Sequence, residues 1–138
     1  MTRKSKAASI PASLVTAARA VRKRAHAPYS KYRVGAAILT KSGRTFTGCN
    51  VENASYGATI CAERSAICQM VAAGEKDPVA CVVVSAGDVA ASPCGICRQV
   101  LSEFARDMPI ALVLETTSGT RRRDTSLAAL LPDAFHLD

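Results

Sequence analysis

The most constraining stretch of this chain is Ser92-Pro93-Cys94-Gly95-Ile96-Cys97. Ser followed by Pro reads as a helix start: the hydroxyl caps unpaired N–H groups, and proline, with no N–H to lose, suits the first helical position. Two cysteines spaced this way in a first turn can aim both sulfurs at one point. Alone, the pair is ambiguous between zinc binding and redox work. Cys61, which opens an earlier helical stretch in Cys61-Ala62-Glu63, is a third candidate. If the three sulfurs meet, two helix N-termini converge with them.

Such convergence suits thiolates. Each N-terminus presents unpaired N–H groups and a partial positive charge, which lowers a thiol pKa. Three protein ligands leave a fourth position open, the pattern of a catalytic rather than a structural zinc. Three thiolates on a divalent cation still leave a formal charge of about −1, so the site needs positive compensation. Arg64, directly after Glu63, is placed to hydrogen-bond the sulfurs and tune the metal. Two plainer readings stay open. Cys94 and Cys97 can belong to a closed four-cysteine site with Cys49, Cys68 or Cys81, although Cys68 and Cys81 sit in segments that read as core. Glu63 can be an ordinary surface helix residue. Neither His26 nor His136 is needed as a ligand.

The rest of the chain supplies the scaffold. Residues 1–8 read as a disordered lead-in. Ser9 and Pro11 begin a helical pattern with Leu14, Ala18 and Val21 on one face, closed by Pro28. Residues 34–40 read as a buried strand, 41–43 as a turn and 44–49 as its hairpin partner. Residues 50–60 have no clear period and read as a loop. Residues 61–73 form a helix stopped by Gly74. The apolar run 79–85 marks a central strand buried on both faces. The Ser92-Pro93 helix runs to about Arg106, and 110–115 form another buried strand. Ser118-Gly119 turns into a short basic strand, and 126–131 form a short helix ended by Pro132. Strands alternating with helices argue a layered α/β fold. With no internal repeat and no linker, the 138 residues read as one domain.

The formal charge of +7 is concentrated in Arg3-Lys4-Lys6, Arg22-Lys23-Arg24 and Arg121-Arg122-Arg123. A basic balance can signal nucleic acid, but no aromatic residues are interleaved to stack bases, so solvated faces are the plainer reading. The apolar stretches are short and no secretory pattern opens the chain, so a soluble cytoplasmic protein is expected, with no membrane span. A disulfide framework is then a weak reading of the six cysteines.

Cys61-Ala62-Glu63-Arg64 with Pro93-Cys94-Gly95-Ile96-Cys97-Arg98-Gln99 resembles the cytidine deaminases, whose superfamily signature pairs such ligands with a Glu acid/base. The resemblance also covers Pro28-Tyr29-Ser30-Lys31-Tyr32, Val34 to Ala37, Gly48 to Ala54 and Leu130 to Phe135. It implies a three-layer α/β/α sandwich around a mixed five-stranded sheet, one zinc per subunit, and the small homotetrameric branch with a three-cysteine site. It further implies that Asn50 and Glu52 hold the ribose hydroxyls, that Tyr32 lies near the pyrimidine where Phe is usual, and that Phe135 reaches a neighbouring subunit's site. Tyr56 is expected in the substrate loop at a subunit contact, and backbone groups around Ala62 at the amino end of the base. The implied activity is hydrolysis of cytidine and deoxycytidine to the uridines and ammonia. Asn50 has a plainer alternative, a loop held by Asn side chains on backbone. Phe135 has one as well, an anchor for the last helix. A related deaminase with another substrate, a polynucleotide editor and a basic zinc module remain as rivals.

Overall fold

The computed structural model describes residues 9–137; the expectation for residues 1–8 lies outside them. Five strands form one sheet in the order β2-β1-β3-β4-β5: β1 Gly35–Thr40, β2 Thr45–Cys49, β3 Pro78–Ala86, β4 Pro109–Thr116 and β5 Gly119–Ser126. β3 and β4 pair in parallel, and every other pair is antiparallel, so the sheet is mixed as expected. A parallel pair needs a crossover. Here it is α3 (Gly95–Phe104), which contains Cys97 and is preceded by Cys94 as its cap residue.

β3 shows why the sheet has helices on both faces. Its side chains alternate: Cys81 and Val83 join one apolar cluster, and Ala80, Val82 and Val84 join the other. The first cluster takes in Ala62, Ala66, Ile67 and Met70 of α2 (Ala62–Ala72) together with Leu101 of α3. The second takes in Leu14 and Ala18 of α1 (Ala12–Arg22). The apolar run read as a central strand is therefore the middle strand of three layers. A short α4 (Leu127–Leu130) follows β5, capped by the Ser126 hydroxyl, which accepts from Ala129 N at 3.2 Å.

Two glycines set how close the helices come. A Cβ on Gly35 would lie 2.2 Å from the Ala18 carbonyl oxygen of α1. One on Gly48 would lie 2.3 Å from Ala66 N and 2.6 Å from the Ala62 carbonyl oxygen. Only glycine lets these backbones meet. Gly48 thereby presses the start of α2 against the end of β2, just before the 50–60 segment.

The structure corrects some boundaries. α1 starts at Ala12, with Pro11 in the cap position rather than Ser9. α3 starts at Gly95, two residues later than the Ser92-Pro93 signal predicts. Cys94 is the cap, extended at φ −66 and ψ 168, and its carbonyl accepts from Arg98 N at 2.9 Å. The Ser92 hydroxyl faces a different donor, Arg98 Nη2 at 3.0 Å, and so caps nothing. The 50–60 segment is a loop with internal order: Val51 bridges both His26 and Ile60, and Tyr56–Ala58 form a 3-10 turn. β5 is not short but matches β4 in length, with residues 119–124 exposed. Among the described residues no helix is long and apolar enough to cross a membrane.

Candidate metal centre and substrate loops

Cys61 and Cys94 occupy equivalent places, each the extended cap residue of its helix. Cys61's carbonyl accepts from Ser65 N at 3.1 Å, as Cys94's does from Arg98. Cys97 lies one turn into α3 and is buried. The sulfurs of the three all fall within 4.8 Å of one another, with Cys61 and Cys94 at 3.8 Å. Four ligands about 2.3 Å from a tetrahedral zinc stand about 3.8 Å apart, so the spacing fits that ion. Among the described residues these are the one set of His, Cys, Asp and Glu that converges in this way. Cys68 is exposed, and Cys81 is fully buried, its thiol pushed up by burial and then by the Glu63 charge. Neither these two nor Cys49 joins the cluster, so among the described residues three cysteines, not four, converge.

The chemistry of the donor set agrees. The Cys97 thiol hydrogen-bonds Cys61, and Arg64 adds to it, so the Cys61 thiol is held well below its ordinary range, with Cys97 driven the opposite way. Arg64 Nη2 donates to Cys61 Sγ at 3.7 Å and to the Thr59 carbonyl at 3.3 Å. Its Nε is buried without an acceptor among the described residues. A guanidinium with donors to spare beside clustered sulfurs is the compensation that three thiolates on a divalent cation require.

Glu63 lies in the first turn of α2 and is 4% exposed. It is no surface residue. Burial raises its pKa above the usual carboxylate range, opposed in part by a hydrogen bond from the Cys97 thiol. A buried carboxyl with a raised pKa beside the sulfur cluster is equipped to take up and release a proton.

Asn50 and Glu52 are committed to backbone. Asn50 is buried; its Oδ1 accepts from Val34 N at 2.8 Å and its Nδ2 donates to the Tyr32 carbonyl at 2.8 Å. Glu52 accepts from Tyr29 N at 3.0 Å, from Ser30 N at 3.1 Å and from the Ser30 hydroxyl. That hydroxyl is the main reason its pKa is lowered. The backbone bonds His26 N to Asn50 O and Glu52 N to His26 O complete the strap between residues 26–34 and 50–52. Asn53 Oδ1 accepts from Ser55 N at 2.9 Å, the local Asn-to-backbone bond of the plainer reading. Both residues keep spare capacity, a second lone pair and N–H on Asn50 and further lone pairs on Glu52.

Around this strap lies a cleft of about 420 Å³ lined by Tyr29, Ser30, Glu52, Asn53, Tyr56 and Thr59. Tyr56 is 83% exposed and Tyr32 is 41% exposed. Ala62 is buried, its side chain in the core, so only its backbone is available for recognition. Phe135 is 67% exposed and is held by its carbonyl, which accepts from Gln99 Nε2 at 3.0 Å; it is not a core anchor for the last helix. The structure thus joins Cys61, Cys94, Cys97, Glu63 and Arg64 in one cluster and Tyr32, Asn50 and Glu52 in another. Ser30 and Arg98 have no role assigned from the sequence, where nothing distinguishes them from neighbouring polar residues.

A family model of the cytidine and deoxycytidylate deaminase zinc-binding region matches residues 9–112. A cytidine deaminase of Sporosarcina psychrophila is 42% identical over 123 residues, covering 88% of each chain. One of Mycobacterium tuberculosis is 43% identical over 119 residues, covering 83% of this chain and 80% of its own. The crystal structure of cytidine deaminase from Burkholderia pseudomallei superposes with a TM-score of 0.83 at 44% identity, over 92% of this chain and 100% of its own.

Proposed function

The chain belongs to the cytidine and deoxycytidylate deaminase family, and from that premise we propose how its residues carry out the reaction. The activity is zinc-dependent hydrolytic deamination of cytidine, with one zinc per subunit. The observation that carries the residue assignment is the convergence of three sulfurs within 4.8 Å beside a buried Glu63. Cys61, Cys94 and Cys97 would hold the ion, and zinc there would supply the Lewis acidity that makes water a nucleophile near neutral pH. Glu63 accepts a proton from the attacking water as the C4–O bond forms and passes it to pyrimidine N3; it then takes the remaining proton from the C4 hydroxyl of the adduct and delivers it to the amine as the C4–N bond breaks. Water plus cytidine then balances as uridine plus ammonia. Arg64 keeps the thiolate cluster from becoming too electron-rich to acidify water.

Asn50 and Glu52 meet the ribose hydroxyls with the capacity left over from the strap, and Tyr32 flanks the base. Ala62 offers its backbone to the amino end of the base. Deoxycytidine is accepted as well, since it lacks only the 2′-hydroxyl and keeps the 3′-hydroxyl for Asn50 and Glu52 to meet. Tyr56 and Phe135, both largely exposed, suit contacts with other copies of the chain, and a homotetramer is the assembly we assign. One domain carries the whole reaction, placed in the cytoplasm in pyrimidine salvage, without nucleic-acid or membrane partners.

The test is Glu63→Gln, with zinc content and the ultraviolet change on cytidine measured together. Zinc is retained and turnover falls by about 10²–10⁴. Zinc retention with near-normal turnover would remove Glu63 from the proton path. A panel of cytidine, deoxycytidine, deoxycytidine monophosphate and blasticidin S fixes the substrate, with the two nucleosides preferred.

A further inference from the structure

Arg98 makes three side-chain bonds in three directions. Its Nε donates to the Pro93 carbonyl at 2.7 Å, Nη1 to the Leu130 carbonyl at 2.6 Å, and Nη2 to the Ser92 hydroxyl at 3.0 Å. Its backbone N–H closes the first turn of α3 on Cys94 O. Its neighbour Gln99 holds the Phe135 carbonyl. The start of α3 therefore reaches back over the loop before Cys94 and forward to the segment that follows α4.

The two α3 ligands differ in what fixes them. Cys97 is buried inside the helix, so the helical ladder places it. Cys94 is exposed, in extended backbone and joined to that ladder by its carbonyl alone, so its place depends also on how Ser92 and Pro93 are held. Arg98 holds both. The Leu130 carbonyl is one of the unpaired groups left at a helix end, and Arg98 is its partner. A guanidinium is a rigid planar fork with donors in several directions; a lysine ammonium on a flexible stem is a poor substitute for three acceptors spread this widely.

We propose that Arg98 is a positioning residue that couples zinc retention at Cys94 to the order of the C-terminal segment bearing Phe135. This rests on the zinc-site reading above. Coupling is reciprocal, so loss of the ion loosens the segment after Leu130, and loss of the bond from Arg98 to the Leu130 carbonyl loosens the ion.

The experiment uses zinc-loaded protein, a chromogenic chelator to time zinc release, and carboxypeptidase to time trimming of the C-terminus. Arg98→Ala releases zinc on the order of 10–100 times faster than the parent and is trimmed faster, and added guanidinium ion restores part of both. Arg98→Lys falls between the two. Gln99→Ala, which reaches only the tail, is trimmed faster at the parental zinc-release rate. Zinc-free parent protein is trimmed faster than the loaded form. Parental zinc release in Arg98→Ala and Arg98→Lys overturns the proposal, as does faster release with unchanged trimming. Should Arg98→Ala not fold, Arg98→Lys decides alone. A parent chain that binds no zinc sinks the zinc-site reading instead, a result distinguishable from either.

Discussion

The metal half and the substrate half of this site are built in opposite ways. The metal half stands on two helix starts pressed against one sheet, with Cys97 and Glu63 buried and Arg64 aimed at Cys61. The substrate half stands on two loops that hold each other, with Asn50 and Glu52 bonded to the backbone of residues 29–34. Their carboxyls respond in opposite directions: burial raises the Glu63 pKa, whereas the Ser30 hydroxyl and backbone N–H groups lower that of Glu52. One half is tuned for chemistry. The other spends its polar groups on its own shape.

The sharpest way to break this contrast is Asn50→Ala. It strands the buried Val34 N–H, at about 1–3 kcal/mol, and also releases the part-buried Tyr32 carbonyl. Denaturant unfolding shows the loss. Asn50→Asp, which keeps the acceptor but not the donor, loses the Tyr32 bond alone and sits between. A parental unfolding midpoint in Asn50→Ala, with only KM changed, would mean that the loops do not depend on this strap.

Next in size is Arg64→Gln, which keeps a donor and removes the charge. Zinc affinity or kcat falls by about 10–100-fold, while the unfolding midpoint of the zinc-free protein moves little. Equal losses in stability and turnover would make Arg64 a packing residue and erase the distinction between the halves.

The smallest effect is the acid response of Glu52. A carboxyl whose folded pKa is lowered stabilises the fold above its ordinary pKa, and that contribution is lost as pH falls through the lowered value. Protection against hydrogen exchange in residues 28–34, taken relative to the intrinsic rate at each pH, is therefore steady from neutral pH to the ordinary carboxylate range, and only below it does it drop. Glu52→Gln abolishes that drop. An unchanged acid profile in Glu52→Gln would assign the strap to the backbone bonds of His26 instead.

Much of the fold is legible in the residues because single elements carry strong signals. The apolar run of β3 predicts a strand covered on both sides, and the Gly43 turn predicts the β1–β2 hairpin; both are present. Where signals compete, the local reading fails. Ser92-Pro93 has the chemistry of a helix start, yet Arg98, six residues from Ser92, takes the hydroxyl and Cys94 becomes the cap. β5 reads as short because three arginines interrupt any apolar pattern, but register with β4 holds eight residues in strand. An edge strand is ordered by backbone pairing, which side-chain pattern does not report.

For the site, the candidates are legible in the chain: three cysteines at helix starts, a Glu and an Arg next to the first of them. Those follow from spacing along one chain, because helix geometry converts spacing into direction. Tertiary structure decided what the same residues are free to do. That Glu63 is buried, that Asn50 is already spent on the backbone of Val34 and Tyr32, that Phe135 faces outward, and that Arg98 ties Cys94 to the end of α4 all depend on segments far apart in sequence. Burial and hydrogen-bond partnership are set by what packs across a gap, and no local pattern in the chain encodes them.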